Sequence, residues 1–111
     1  NQLAAKEMYI AKYYITTQKW IPAINRLKVV VNDYYETIFV EEALHRLVEV
    51  YYRVGLNEEA KSAAAILGYN YNSSEWYSQS YKILNKSYKL PKSKIKKNDG
   101  LIKRTIKKIL N

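Results

Sequence analysis

Two stretches decide the fold when set one above the other: residues 7–34, EMYIAKYYITTQKWIPAINRLKVVVNDY, and residues 44–71, LHRLVEVYYRVGLNEEAKSAAAILGYNY. The second follows the first at an offset of 37 residues. Tyr14 falls on Tyr51, Ala23 on Ala60, Val30 on Leu67 and Tyr34 on Tyr71. Ile10 falls on Leu47, Ala11 on Val48 and Leu27 on Ala64. Apolar and small residues return, while the residues between them change. That pattern marks a helix-hairpin repeat, in which one unit cannot bury its apolar face alone and stacks on a neighbour. It points to a protein that holds other proteins.

Apolar spacing gives the helices. Leu3, Ala4, Met8, Ala11 and Ile15 recur at three- and four-residue intervals, so a first helix is predicted from about Leu3 to Thr16. Tyr9, Tyr13 and Tyr14 widen its stripe. Thr16 to Lys19 reads as a turn. Pro22 fits the first turn of a second helix, where its missing N–H costs nothing. That helix runs to about Tyr34, with Ala23 small enough to let helix 1 approach. A loop from Asp33 to Ile38 leads to a third helix, Val40–Val54, which Gly55 ends. A fourth is predicted from Glu58 to Leu67, with Gly68 closing it. Ser73 or Ser74 caps a fifth, Glu75–Tyr88. Nothing alternates with period two for long enough to be a strand. The predicted fold is all-α: a hairpin over residues 1–37, a second over 38–72, a capping helix over 73–88 and a basic tail over 89–111.

Composition narrows the function. The sequence is 48% hydrophobic and has twelve Tyr against two Trp and one Phe. Tyr joins an apolar ring to a polar tip and suits seams beside solvent. Cys is absent, so no disulfide, zinc-thiolate site or thiol nucleophile exists in this stretch. No run approaches the ~18 apolar residues a membrane-spanning helix needs. The net charge of +9 is unevenly placed: residues 1–88 hold ten Lys/Arg and nine Asp/Glu, whereas residues 89–111 hold nine Lys/Arg and Asp99 alone. The basic character belongs to the tail.

No catalytic constellation is present. Glu41-Glu42 and Glu58-Glu59 sit at helix starts, where exposed N–H groups favour anions. His45 is the sole His, read as a surface or half-buried hydrogen-bonder, and a metal site has no second ligand to stand on. Trp76 reads as packing at the end of the stack. Neither cofactor nor enzymatic activity is expected.

The spacing within each unit resembles a tetratricopeptide repeat. From Ala11, a small residue follows at Ala23 and a large apolar one at Leu27. Val48, Ala60 and Ala64 repeat the spacing. The period exceeds the usual ~34 residues, and the added residues fall between helices 2 and 3.

A closer resemblance is carried by Glu7 to Tyr14, Ala23-Ile24-Asn25-Arg26, Val29-Val30, Glu41 to Leu44, Val48 to Tyr51, Gly55-Leu56, Glu59-Ala60 and Asn70 to Tyr77. These resemble the BamD family, tetratricopeptide lipoproteins of the machinery that assembles β-barrels in the bacterial outer membrane. The likeness covers about residues 1–84 and corresponds to the family's C-terminal part. It departs where the family usually has Gly in the first turn, here Thr17-Gln18, and Tyr-Pro after helix 2, here Tyr34-Tyr35.

The resemblance implies a scaffold at the periplasmic face of the outer membrane, anchored through a lipidated N-terminal region absent from this excerpt. It implies docking on the periplasmic domains of the barrel-forming subunit, contact with other assembly lipoproteins, and engagement of unfolded outer-membrane proteins by upstream repeats. Arg26 would lie at the contact with the barrel-forming subunit, with Asn25, Tyr13 and Tyr14 beside it. From residues alone, Arg26 is equally a helix charge paired with Asp33, Glu7 or a helix end. A generic tetratricopeptide adaptor is the alternative reading.

The tail has no recognised counterpart. Lys103, Arg104, Lys107 and Lys108 form the basic face of a predicted helix over 100–110, opposite Leu101, Ile102, Ile106, Ile109 and Leu110. The readings are a solvated extension, an anionic membrane surface and an acidic partner. A nucleic-acid role would rest on the charge alone, without aromatics for stacking, and no nucleic-acid partner is expected. In an excerpt with earlier repeats removed, Leu3, Tyr9 and Tyr13 should present an open apolar face.

Overall fold

The structure, a computed structural model, describes residues 1–84. The order is α1 (Gln2–Thr16), α2 (Trp20–Asp33), α3 (Val40–Arg53), α4 (Asn57–Asn70) and α5 (Glu75–Ile83), with no strand among the described residues. The fold is all-α and of tetratricopeptide type. The predicted linker and last helix lie outside the described residues, as does the predicted end of the fifth helix beyond Leu84.

The 37-residue offset in the sequence is also an offset in the backbone. In the first turn the N–H groups of Thr17, Gln18 and Lys19 donate to the carbonyls of Tyr13, Ile15 and Tyr14. In the second turn Val54, Gly55 and Leu56 donate to Val50, Tyr52 and Tyr51, the same pattern 37 residues on. Both turns need one residue in the left-handed region: Gly55 at φ +87° and Gln18 at φ +59°. Glycine adopts that region freely, and a side chain there costs energy.

The register continues into α5. Thr37 and Ser74 occupy equivalent positions. The Thr37 hydroxyl accepts from Phe39 N–H at 3.3 Å, and the Ser74 hydroxyl accepts from Trp76 N–H at 3.0 Å. Ser74 is thus the cap of α5, and α5 stands where the first helix of a third unit would stand. Ala43 of α3 and Ser80 of α5, one period apart, are both 0% exposed.

α1 packs on α2 and α3 on α4, each pair joined by a three-residue turn. α2 also packs on α3, and α5 lies against α3 and α4. The core holds Leu27, Val30, Val31, Leu44, Leu47, Val48, Ile66 and Leu67, all fully buried. Ala11, Ala23, Ala60 and Ala64 are fully buried among the packed helices, where larger side chains would force them apart.

Three expectations need correction. Gly68 does not close α4: the helix runs on to Asn70 with Gly68 buried inside it, because burial overrides the cost of about 1 kcal/mol that Gly carries in a helix interior. Asp33 belongs to α2, so the loop begins at Tyr34. His45 is 2% exposed, neither surface nor half-buried, because α5 covers it. Leu3, Tyr9 and Tyr13 of α1 are exposed as expected, and Ile21 of α2 is exposed as well.

Candidate partner-binding surface

Arg26 is held, not free. Its Nη1 donates to both carboxylate oxygens of Glu7, at 3.0 and 3.3 Å, which ties α2 to α1. The hydrogen bond to Glu7, then the Glu7 charge, raises the Arg26 pKa above its ordinary value, with Tyr14 adding a smaller effect. Arg26 keeps 41% of its side chain exposed while Glu7 keeps 17%. The carboxylate is tucked in and the guanidinium faces outward. An arginine has five N–H donors, so with Nη1 engaged by Glu7 the Nη2 and Nε donors remain for an incoming acceptor.

Asn25 precedes it and is exposed. Tyr13 and Tyr14 form a tilted ring pair with centroids 6.0 Å apart, Tyr13 exposed and Tyr14 half-buried. The structure therefore pairs Arg26 with Glu7 and, separately, Tyr13 with Tyr14. Asn25 shares no hydrogen bond or ion pair with them. Lys103, Arg104, Lys107 and Lys108 lie outside the described residues.

A second polar system was not foreseen. Lys12 of α1 reaches Glu42 of α3 at 2.6 Å. Glu42 also pairs with Arg46 at 3.3 Å, and Arg46 with Glu49 at 3.0 Å. The Arg46 guanidinium lies 5.6 Å from the centre of the Trp76 ring on α5. His45, beside that ring at 5.3 Å, bonds through Nδ1 to the Ser80 hydroxyl at 2.8 Å. Its Nε2 faces Glu49 at 3.5 Å. Burial pushes the Glu49 carboxyl up, but hydrogen bonds from His45 and Arg46 outweigh it and hold the pKa below the ordinary value. The network links α1, α3 and α5, and Trp76 is its packing partner. One signal for His45 was available: it falls 37 residues after Met8, on the face that Met8 buries.

Among the described residues no group of three or more His, Asp or Glu could hold a metal, and no helix is long and apolar enough to cross a membrane. What the geometry offers is surface: stacked helix hairpins with an arginine presented by a carboxylate behind it. That defines a tetratricopeptide-type repeat protein.

The profile of the family described as "YfiO: Outer membrane lipoprotein" matches residues 1–67. The chain is 46% identical over 85 residues to the outer membrane protein assembly factor BamD of Caulobacter vibrioides, covering 77% of this chain and 28% of that protein. It is 44% identical over 84 residues to the protein of the same name from Rickettsia prowazekii, covering 76% and 34%. Against the namesake from Neisseria meningitidis the identity is 29% over 81 residues, 73% of this chain and 30% of that one. No solved structure matches the chain. The chain belongs to the YfiO/BamD family of outer-membrane lipoproteins. It spans about a third or less of the length of the curated relatives it matches.

Proposed function

We propose that this chain is a non-enzymatic protein–protein scaffold in the assembly and insertion of β-barrel proteins into the outer membrane. Its task is to dock on the periplasmic domains of the barrel-forming subunit. The observation that carries this is Arg26: in a family whose members are named assembly factors, it is pinned by Glu7 yet 41% exposed. Pinning lowers the entropy lost on binding, and the guanidinium fork suits a carboxylate. Tyr13, Tyr14 and Asn25 complete the contact, Tyr13 as an exposed aromatic anchor of the kind that dominates interfaces.

Other assembly lipoproteins are further partners, and upstream repeats engage unfolded outer-membrane proteins. The location is the periplasmic face of the outer membrane, through an N-terminal lipid anchor. Lys103, Arg104, Lys107 and Lys108 of the tail favour an anionic membrane surface. The test is a titration of the chain against the periplasmic domains of the barrel-forming subunit, with Arg26→Glu beside it. Saturable binding weakened more than about tenfold, 1.4 kcal/mol, is expected. Absence of binding by the folded chain would leave a generic repeat adaptor as the better account.

A further inference from the structure

His45 is the most enclosed titratable group among the described residues, 2% exposed between α3 and α5. Both ring nitrogens are engaged. Nδ1 lies 2.8 Å from the Ser80 hydroxyl and Nε2 lies 3.5 Å from the Glu49 carboxylate. Burial pushes the Glu49 carboxyl up, yet hydrogen bonds from His45 and Arg46 hold it below its ordinary value, so it is ionised wherever an imidazole titrates. A carboxylate can only accept, so the neutral ring carries its hydrogen on Nε2. Nδ1 then offers a lone pair, and the Ser80 hydroxyl donates to it. The order Ser80, His45, Glu49 is that of a hydrolytic triad, but Ser80 is 0% exposed and no substrate can reach it. The arrangement can take up a proton and do nothing else.

That proton goes to Nδ1. The ring then donates from both nitrogens, to Glu49 and to Ser80. The Ser80 hydroxyl turns from donor to acceptor, and its hydrogen passes to the Trp76 carbonyl one turn back, as a serine can inside a helix. No buried group is orphaned in either state. Proton uptake places a positive charge 3.5 Å from Glu49, on a ring that is itself shielded from water. Arg46 is the neighbouring cation and opposes that charge, but it is matched by Glu42 and Glu49 and stacked on the Trp76 ring. Of the charged residues on α5, Glu75 accepts from Gln79 and Lys82 is exposed. Among the described residues no charged group of α1, α2 or α4 lies within ion-pair distance of the ring.

We propose that His45 is a proton-operated latch between α3 and α5, and that proton uptake tightens the seat of α5. The direction follows from the pairing: the gain is complete at low pH and is lost as pH rises through the titration of His45. The place suits a latch. α1 and α3 each pack on a hairpin partner, whereas α5 has none among the described residues, so its hold on the stack is where a small change in pairing shows. The repeat does not supply the device. One period before His45 stands Met8, which cannot titrate, and one period before Ser80 stands Ala43. α5 leads towards the basic residues 89–111, so the latch sets how firmly the helix before them is held. The inference goes beyond the proposed docking on the barrel-forming subunit. It uses none of Arg26, Asn25, Tyr13 and Tyr14, so either can fail without the other.

His45 is the sole His, so its Cε1–H resonance is one unambiguous NMR signal. The test follows that signal in the full chain from about pH 5 to 8. Hydrogen exchange of the amides of residues 77–83 is measured in the same samples and corrected for the intrinsic pH dependence of exchange. His45 is expected to titrate in this window, and the protection of α5 to fall about fivefold as it loses its proton, with the two midpoints coinciding. The amides of α1 should show no such step. His45→Gln should remove the step. Glu49→Gln leaves the ring but takes away its counter-charge, and should abolish or invert it. Thermal melts of each variant show that the fold is retained. A His45 that does not titrate, protection of α5 that stays flat or rises with pH, or a step undiminished in either variant would each overturn the inference.

Discussion

The two hairpins share a backbone pattern and differ in burial. α3 buries Val40, Leu47 and Val50 to 2% exposure or less. Their equivalents 37 residues earlier are Leu3, 61% exposed, Ile10, half-buried, and Tyr13, 59% exposed. The local sequence makes the same helix twice. Neighbours decide what that helix is worth: α3 has α2 and α4 against it and α5 beyond, whereas α1 has α2 behind it and an open face in front. Apolar pattern fixes which side of a repeat helix could be buried, and stacking fixes whether it is.

The sharpest way to break that comparison is a matched pair of truncations. Leu47→Ala should cost about 2–5 kcal/mol, the range for a fully buried leucine. Leu3→Ala should cost less than about 0.5 kcal/mol, as exposed positions do. Denaturant unfolding of both variants measures the difference, and equal costs would mean that the register does not govern burial.

Next in size is the pin between α3 and α5. His45→Leu leaves the Ser80 hydroxyl, 0% exposed, without its partner. A loss of about 1–3 kcal/mol is expected. The double variant with Ser80→Ala should recover part of it, because no orphaned group then remains. Failure of that recovery would mean the His45 ring contributes by packing on Trp76 and not by its hydrogen bond.

The turns give a smaller and more exact contrast. A Cβ added at Gly55 meets nothing within 4 Å, so Gly55→Gln should cost only the left-handed backbone, about 1–2 kcal/mol. Gln18→Gly relieves the same strain, but glycine's added unfolded-state entropy offsets part of the gain. The result should be neutral or stabilising by less than about 1 kcal/mol. A destabilising Gln18→Gly would show that the Gln18 side chain supports the turn.

The smallest effect is in pH. The folded-state pKa of Glu49 is lowered, so its contribution is present above the unfolded pKa and is lost as pH falls through the folded value. Glu49→Gln should therefore flatten the acid limb of a stability–pH curve, and only modestly, since the side chain is 37% exposed. For Tyr51, burial and then the Glu59 charge raise the pKa. That contribution is complete at neutral pH and declines above the unfolded phenol value.

Much of the fold was legible because the repeat states it twice. The five helices, the Gly55 turn and the small residues at Ala23 and Ala60 follow from apolar spacing and the 37-residue offset, although α4 runs on to Asn70, past its predicted end at Leu67. What stayed hidden depends on α5. Periodicity within one helix does not say which neighbour will cover it, so His45 read as an exposed or half-covered residue. Gly68 reads as a stop by helix propensity, and its burial inside α4 overrides that propensity. At the candidate site, Glu7 was one of several possible partners for Arg26, since choosing it requires knowing how α1 and α2 face each other. The Arg53–Trp20 stack joins residues 33 apart in the sequence, outside any helical spacing.

The most direct measurement concerns Arg26 as a contact and not as a brace. Reversing the pair, Glu7→Arg with Arg26→Glu, keeps an ion pair between α1 and α2 while inverting the charge shown to a partner. The account predicts an unchanged melting temperature and binding to the periplasmic domains of the barrel-forming subunit weakened more than about tenfold. Undiminished binding by the reversed pair would contradict it and leave Arg26 as a structural link between two helices.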